Sequence, residues 1–296
     1  MGFLNLRVQP GAVYLAGAPL LIAHRGGSAL APENTIEAFG RAVNWWRADI
    51  LELDVQPTRD GEAVVFHDHT LDRTTDGGGP VSARTVDQLR QLDAGFRFQA
   101  SDGSSTPFRG AGIRIPTLAE VLDAFPHVRV NVEIKDGRAQ DRVLETILAA
   151  GATHRVLVAA GQKKRRARFR RYAGAVSASG EELRAFYAAF RLRALFLCRP
   201  EYGALQMPER YGGRQVLTAE LIRAAHRLNL AVHVWTVDED ADIRRLLEWG
   251  VDGIVTDRPD RLAFILHEMY GRPLPPGPPA VSRAPAVDTH APQVLE

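Results

Sequence analysis

The chain has a single cysteine among 296 residues, Cys198, so no disulfide can form within it. One thiol suits a reducing compartment, and a cytoplasmic location is the expectation. An excess of charge is also missing. Lys and Arg number 37 against 35 acids, a formal net charge of +2, too little for a dedicated nucleic-acid binder. No hydrophobic run is long enough to span a membrane. The uncharged tract Val8–Ala23 comes nearest, and Pro10, Gly11, Gly17 and Pro19 break it. Only Arg7 precedes that tract as a basic residue, so a buried strand at its end fits better than a cleaved signal. The run Gly77–Gly79 has no Lys-Ser/Thr partner, which argues against a nucleotide phosphate loop. No internal repeat is present. With 45% hydrophobic and 24% charged residues, disorder over the whole chain is excluded.

What is present is a rhythm. Strand-like runs fall at Leu20–His24, Ile50–Val55, Val128–Ile134, Val156–Ala159, Ala173–Ala178, Ala204–Met207, Ala231–Val237 and Gly253–Thr256. Amphipathic stretches such as Thr35–Trp46, Ala139–Ala150, Glu181–Leu192, Ala219–Leu228 and Ala241–Trp249 lie between them. Strand-then-helix order over this length predicts an α/β fold, a (β/α)8 TIM barrel, with an open doubly wound sheet as the alternative. Residues 20–268 would form the barrel domain. The interval Arg59–Ile115 is too long for an ordinary loop and reads as a small insertion after the second strand. Residues 269–296 read as a disordered Pro-rich tail.

Side chains of a strand alternate between its faces. Glu52 and Asp54 therefore point one way, while Leu51, Leu53 and Val55 point toward covering helices. Glu133 and Lys135 repeat the pattern on the next major strand. Three carboxylates facing inward repel unless a hard cation joins them, and Mg²⁺ or Ca²⁺ suits oxygen ligands. The competing reading is a set of ion pairs on an edge strand. His24 ends the first strand, and His67 follows a short apolar run. Two imidazoles beside such a cation suggest an acid and a base for hydrolysis near neutral pH. Arg25 and Lys135 add positive charge that suits a phosphate better than a neutral sugar.

At this point a resemblance becomes specific. His24-Arg25-Gly26-Gly27, Ala31-Pro32-Glu33-Asn34-Thr35, Glu52-Leu53-Asp54-Val55, Phe66-His67-Asp68 and Leu71-Asp72-Arg73-Thr74-Thr75 occur in order. Ile115-Pro116-Thr117-Leu118, Glu133-Ile134-Lys135, Val234-Trp235-Thr236-Val237 and Gly253-Ile254-Val255-Thr256-Asp257 continue the set. The chain from about Leu20 to Leu266 resembles the glycerophosphodiester phosphodiesterase family. The resemblance implies a (β/α)8 barrel and metal-dependent hydrolysis of glycerophosphodiesters to glycerol 3-phosphate and an alcohol. It implies Glu52, Asp54 and Glu133 as metal ligands and His24 and His67 as general acid and base. Arg25 and Lys135 match phosphate contacts, and Trp235 matches an aromatic near the glycerol end. Val158-Ala159-Ala160-Gly161 departs from a Ser-rich strand end that is more usual there.

Two other functions remain open from the residues. A lysophospholipase D-like hydrolase of lysophospholipids is one, and a catalytically dead lipid- or membrane-binding module is the other. The run 162–171 holds seven basic side chains, is compatible with a helix, and could contact anionic membranes. Asn34 reads as the cap of a helix starting at Thr35. Cys198 reads as a small buried hydrophobe.

Overall fold

The computed structural model describes residues 13–278, apart from 101, 102 and 104. Its strands are β1 (Leu20–Ala23), β2 (Ile50–Pro57), β3 (Ala63–Val65), β4 (Arg129–Ile134), β5 (Val156–Ala159), β6 (Ala175–Val176), β7 (Ala204–Pro208), β8 (Arg210–Tyr211), β9 (Arg214–Gln215), β10 (Ala231–Trp235) and β11 (Gly253–Thr256). Eight of these pair in parallel in the order β6-β5-β4-β2-β1-β11-β10-β7. A parallel bridge between Ser177 and Ala204 nearly closes the ring. The predicted (β/α)8 barrel is the observed architecture.

The helices are α1 (Ile36–Trp46), α2 (Val86–Leu89), α3 (Leu118–Ala124), α4 (Gln140–Ala149), α5 (Gly180–Arg191), α6 (Ala219–His226), α7 (Asp240–Trp249) and α8 (Pro259–Tyr270). Alternation along β2 sorts its side chains as the period of two requires. Leu51, Leu53 and Val55 join the large core beneath the helices, and Ile50 joins an inner core with Leu20, Ile22 and Leu157. Tyr14 packs into that inner core at the strands' N-terminal end, 1% exposed. The same end is tied by polar contacts. Arg129 donates to the Tyr14 and Ala16 carbonyls, and Asp49 receives the Leu21 amide and both terminal nitrogens of Arg272.

Between β2 and α3 the chain leaves the barrel. There β3 pairs antiparallel with the end of β2, with Val55 opposite Val65. Val64, Phe66, Leu71, Val81, Leu89 and Ile115 give this excursion a small core of its own.

Three expectations need correction, and one is refined. The basic run is helical, as a 3₁₀ stretch, Lys163–Arg171, kinked at Arg166. Like charges one turn apart disfavour an α-helix, and local acids bend the run to themselves. Lys163 and Arg166 pair with Glu182, and Arg168 pairs with Asp141. Only Lys164, Arg165, Arg170 and Arg171 have no carboxylate partner among the described residues. Cys198 is half-buried, beside Phe196 and Leu197, which are 72% and 70% exposed. Asn34 does not cap α1, because the Thr35 hydroxyl receives the Ala38 amide. Finally, α8 continues to Tyr270, Arg272 pairs with Asp49, and the Gly277 amide donates to the Trp45 carbonyl. The first part of the chain expected to be disordered is thus tied down as far as Gly277, and 279–296 lie outside the described residues.

Candidate active site

The parallel strands deliver their polar inward residues to one end of the barrel. Register places Glu52 beside Asn131 and Asp54 beside Glu133. One oxygen from each of Glu52, Asp54 and Glu133 lies within 4.8 Å of the others. Asp54 is 1% exposed and Glu52 5%. Lys135 Nζ sits 2.9 Å from both Asp54 Oδ1 and Glu133 Oε2. Burial opposes the charge on Lys135, but Asp54 and Glu133 outweigh it and raise its pKa above the ordinary range. Burial also works to raise the Asp54 carboxyl, yet Lys135 and Arg25 hold it below the usual carboxylate range.

Glu52 is the exception. Burial, and after it Asp54, pushes its pKa up to about 7. Its partner is the Arg25 backbone amide, which donates to Oε2 at 3.0 Å. A buried carboxylate left short of positive charge, beside two more oxygen donors, is what a hard divalent cation satisfies. The donor set therefore fits Mg²⁺ or Ca²⁺, and does not distinguish them.

His24 follows β1 and is positioned from two sides. Behind it the chain turns through Gly27, at φ +93°, where a Cβ would lie 2.7 Å from the Pro259 ring. Beside it, Nδ1 lies 2.6 Å from Asp257 Oδ1, and the Ser28 hydroxyl donates to the same oxygen. Burial lowers the His24 pKa, but the Asp257 hydrogen bond and the Glu52 charge more than offset that, so it stands above its ordinary value. With Nδ1–H held on Asp257, the other ring nitrogen is left as an acceptor.

Arg25 reaches Glu33 Oε1 at 2.8 Å through Nη1, and its Nε lies 3.2 Å from Asp54 Oδ2. Asn34, 3% exposed and at φ +59°, donates from Nδ2 to Asp54 Oδ2 at 3.0 Å. Its Oδ1 accepts the Asp54 amide at 3.3 Å. His67 enters from the insertion, its Nδ1 2.5 Å from Asp68 Oδ1, and Gln56 donates to its carbonyl at 2.9 Å.

All eight residues singled out in the sequence fall in one region. His24, Arg25, Glu52, His67, Glu133, Lys135 and Trp235 line a cavity of about 370 Å³, and Asp54 lies directly beneath Lys135. Trp235, 45% exposed, stands at the rim. Ala159, Ala160 and Gly161 form a smooth stretch of wall where a Ser-rich strand end was the usual expectation. Asp257, Asp68, Asn34 and Arg73 were missed. Asp257 and Asp68 stood inside quoted motifs, but nothing local tells that each holds a histidine. Asn34 carried a cap reading that concealed its contact with Asp54.

Known proteins resemble this chain closely. Residues 24–261 match the glycerophosphoryl diester phosphodiesterase family model. A glycerophosphodiester phosphodiesterase of Caldanaerobacter subterraneus subsp. tengcongensis is 35% identical over 262 residues, which are 84% of this chain and 98% of that protein. One from Bacillus subtilis is 31% identical over 288 residues, covering 88% of this chain and 92% of that protein. Among solved structures, the glycerophosphoryl diester phosphodiesterase domain of a Mycobacterium tuberculosis protein superposes with a TM-score of 0.75. It is 24% identical, and the match covers 84% of this chain and 99% of that domain, a likeness of fold.

Proposed function

The chain belongs to the glycerophosphoryl diester phosphodiesterase family, and from that premise we propose that it hydrolyses glycerophosphodiesters to glycerol 3-phosphate and an alcohol, with Glu52, Asp54 and Glu133 holding a divalent cation. The observation that carries the reading is the convergence of that carboxylate cluster with His24 and His67 on a single cavity. A cation bound there supplies Lewis-acid polarisation of the phosphoryl oxygens.

The remaining work falls to side chains. Arg25 and Lys135 supply fixed positive charge for the phosphate, and Trp235 lines the approach of the glycerol end. Asp257 and Asp68 each take Nδ1–H of their histidine, which leaves both Nε2 atoms for proton transfer. One histidine removes a proton from the attacking water as its oxygen bonds to phosphorus, and the other protonates the departing alcohol oxygen as its P–O bond breaks. The two are matched in their carboxylate partners, so the geometry favours neither assignment of acid and base.

The test is direct. Purified protein is given glycerophosphocholine, glycerophosphoethanolamine and lysophosphatidylcholine, and glycerol 3-phosphate and the released alcohol are measured. The proposal expects turnover of the first two, and loss of about 10²-fold or more in H24A and in H67A, the scale of general acid–base catalysis. Release of choline from the lysolipid alone would favour the lysophospholipase D reading. Full turnover in H24A or H67A would overturn the two-histidine assignment.

A further inference from the structure

His67 differs from the other proton-transfer and cation-binding candidates in how it is mounted. His24, Glu52, Asp54, Glu133 and Lys135 stand on barrel strands or directly after them, whereas His67 follows β3 in the insertion. Its backbone is tied to β2 by the Phe66 amide on the Asp54 carbonyl and by Gln56, so the aim of its ring depends on Asp68 and on what holds Asp68. One side chain does so with three hydrogen bonds. Arg73 Nη1 and Nη2 donate to Glu33 Oε2 and Oε1, both at 2.7 Å. Its Nε donates to Asp68 Oδ2 at 2.6 Å, and the other Asp68 oxygen holds His67 Nδ1. Glu33 also accepts from Arg25, which abuts Asp54. An unbroken chain of ion pairs thus runs from a cation ligand of the barrel to the histidine of the insertion.

The base of Arg73 is firm. It sits in a turn whose Leu71 is fully buried, with the Thr75 hydroxyl donating to the Leu71 carbonyl. The Arg73 side chain is half in solvent, 49% exposed, so each pair adds little to stability. Its fork geometry is what matters, because a planar bidentate contact fixes direction as well as distance. Arg73 does not line the cavity; it reaches the reaction through Asp68 to His67 or through Glu33 to Arg25, and the double variant R73A/H67A separates the two routes.

We propose that Arg73 is a positioning residue that docks the insertion onto Glu33 and thereby aims His67 at the phosphodiester. The inference rests on the phosphodiesterase reading above. Misplacing a catalytic group by about 1 Å can cost about 10²-fold in rate. R73A should therefore lower kcat on glycerophosphocholine by about 10- to 100-fold while KM changes by less than about threefold, since the phosphate contacts remain. The decisive comparison is R73A/H67A, which should be no slower than H67A. Guanidinium ion added to R73A should recover part of the lost rate, and should recover none in R73A/H67A. A nitrogen-15 spectrum of the imidazoles supplies a readout free of activity. His67 should be a single Nδ1–H tautomer in the parent and a mixture in R73A, with His24 unchanged. Loss of rate from R73A in the H67A background, or an unaltered His67 spectrum in R73A, would overturn the proposal. A parent inactive on every glycerophosphodiester would sink the functional reading instead, and the spectra would still decide how His67 is held.

Discussion

Replacing Asp257 by Asn changes one oxygen to nitrogen and should expose how His24 is tuned. In the parent, Asp257 Oδ1 lies 2.6 Å from His24 Nδ1. Burial alone would raise the Asp257 carboxyl, but the His24 hydrogen bond and charge and the Ser28 hydroxyl keep it below the usual range, so it is ionised. A hydrogen bond to a charged partner contributes about 1.5–3 kcal/mol. Losing it removes the main contribution that offsets burial, so the His24 pKa should fall. The sign is the same whichever role His24 has. As a base, it stays neutral to lower pH, and the acid limb of the rate profile moves down. As an acid, it loses its proton earlier, and the alkaline limb moves down. The substitution brings a second effect, because the introduced carboxamide can donate to Nδ1 and so stabilise the tautomer with its proton on Nε2. A base in that tautomer cannot accept, and turnover should fall by about 10²-fold or more. The assay is kcat/KM for glycerophosphocholine from pH 4 to 10, with S28A as a control that keeps the carboxylate. A D257N profile that overlays the parent in height and in both limbs would refute the reasoning.

Three further outcomes are expected. Chelation should abolish turnover and Mg²⁺ or Ca²⁺ should restore it; a cation at about 100 times its dissociation constant should also add about 2.7 kcal/mol of stability, read as a higher melting temperature that E52Q lacks. N34D would set a carboxylate 3.0 Å from buried Asp54; it should cost about 1–3 kcal/mol in denaturant unfolding and most of the turnover, while N34A keeps more of both. His233, fully buried, has its pKa pushed down to about 4 by burial. The unfolded chain then binds the extra proton from about pH 6.5 downward, so stability falls as pH drops from there toward about 4, by about 3 kcal/mol in all. Urea midpoints of H233Q should lose most of that dependence, and a parent midpoint flat from pH 7 to 5 would count against it.

The barrel was legible because its signal is periodic. Leu51, Leu53 and Val55 alternate with Glu52 and Asp54, and the structure sorts them to opposite faces of β2. The weak places have physical causes. Strand β6 is only Ala175–Val176, and just before it Gly174 is crowded, because a Cβ there would collide with the Thr153 carbonyl oxygen. The hairpin β8–β9 was overlooked although Gly212 and Gly213, both at positive φ, mark its turn. Asn34 misled because asparagine suits both a helix cap and the left-handed region it occupies. The carboxylate that holds His24 lies 233 residues away in sequence, and only closure of β1 against β11 brings the two together. Motif order pointed to the right family, while pairing within the site needed coordinates.

The knot of Asp49, Arg129 and Arg272 has a practical side. It gathers the segment around Tyr14 and the turn after α8 at the base of the strands, away from the cavity at their C-terminal ends. A catalyst tethered to a bead or electrode through chain beyond Arg272 would stand with its open end toward the liquid. Substrate would reach it unhindered, and catalyst loading could rise until neighbouring molecules touch side by side. Pulling on such a tether would load the Gly277–Trp45 hydrogen bond and then the Asp49–Arg272 fork before any barrel strand, so those two contacts bear the first shear on an immobilised preparation.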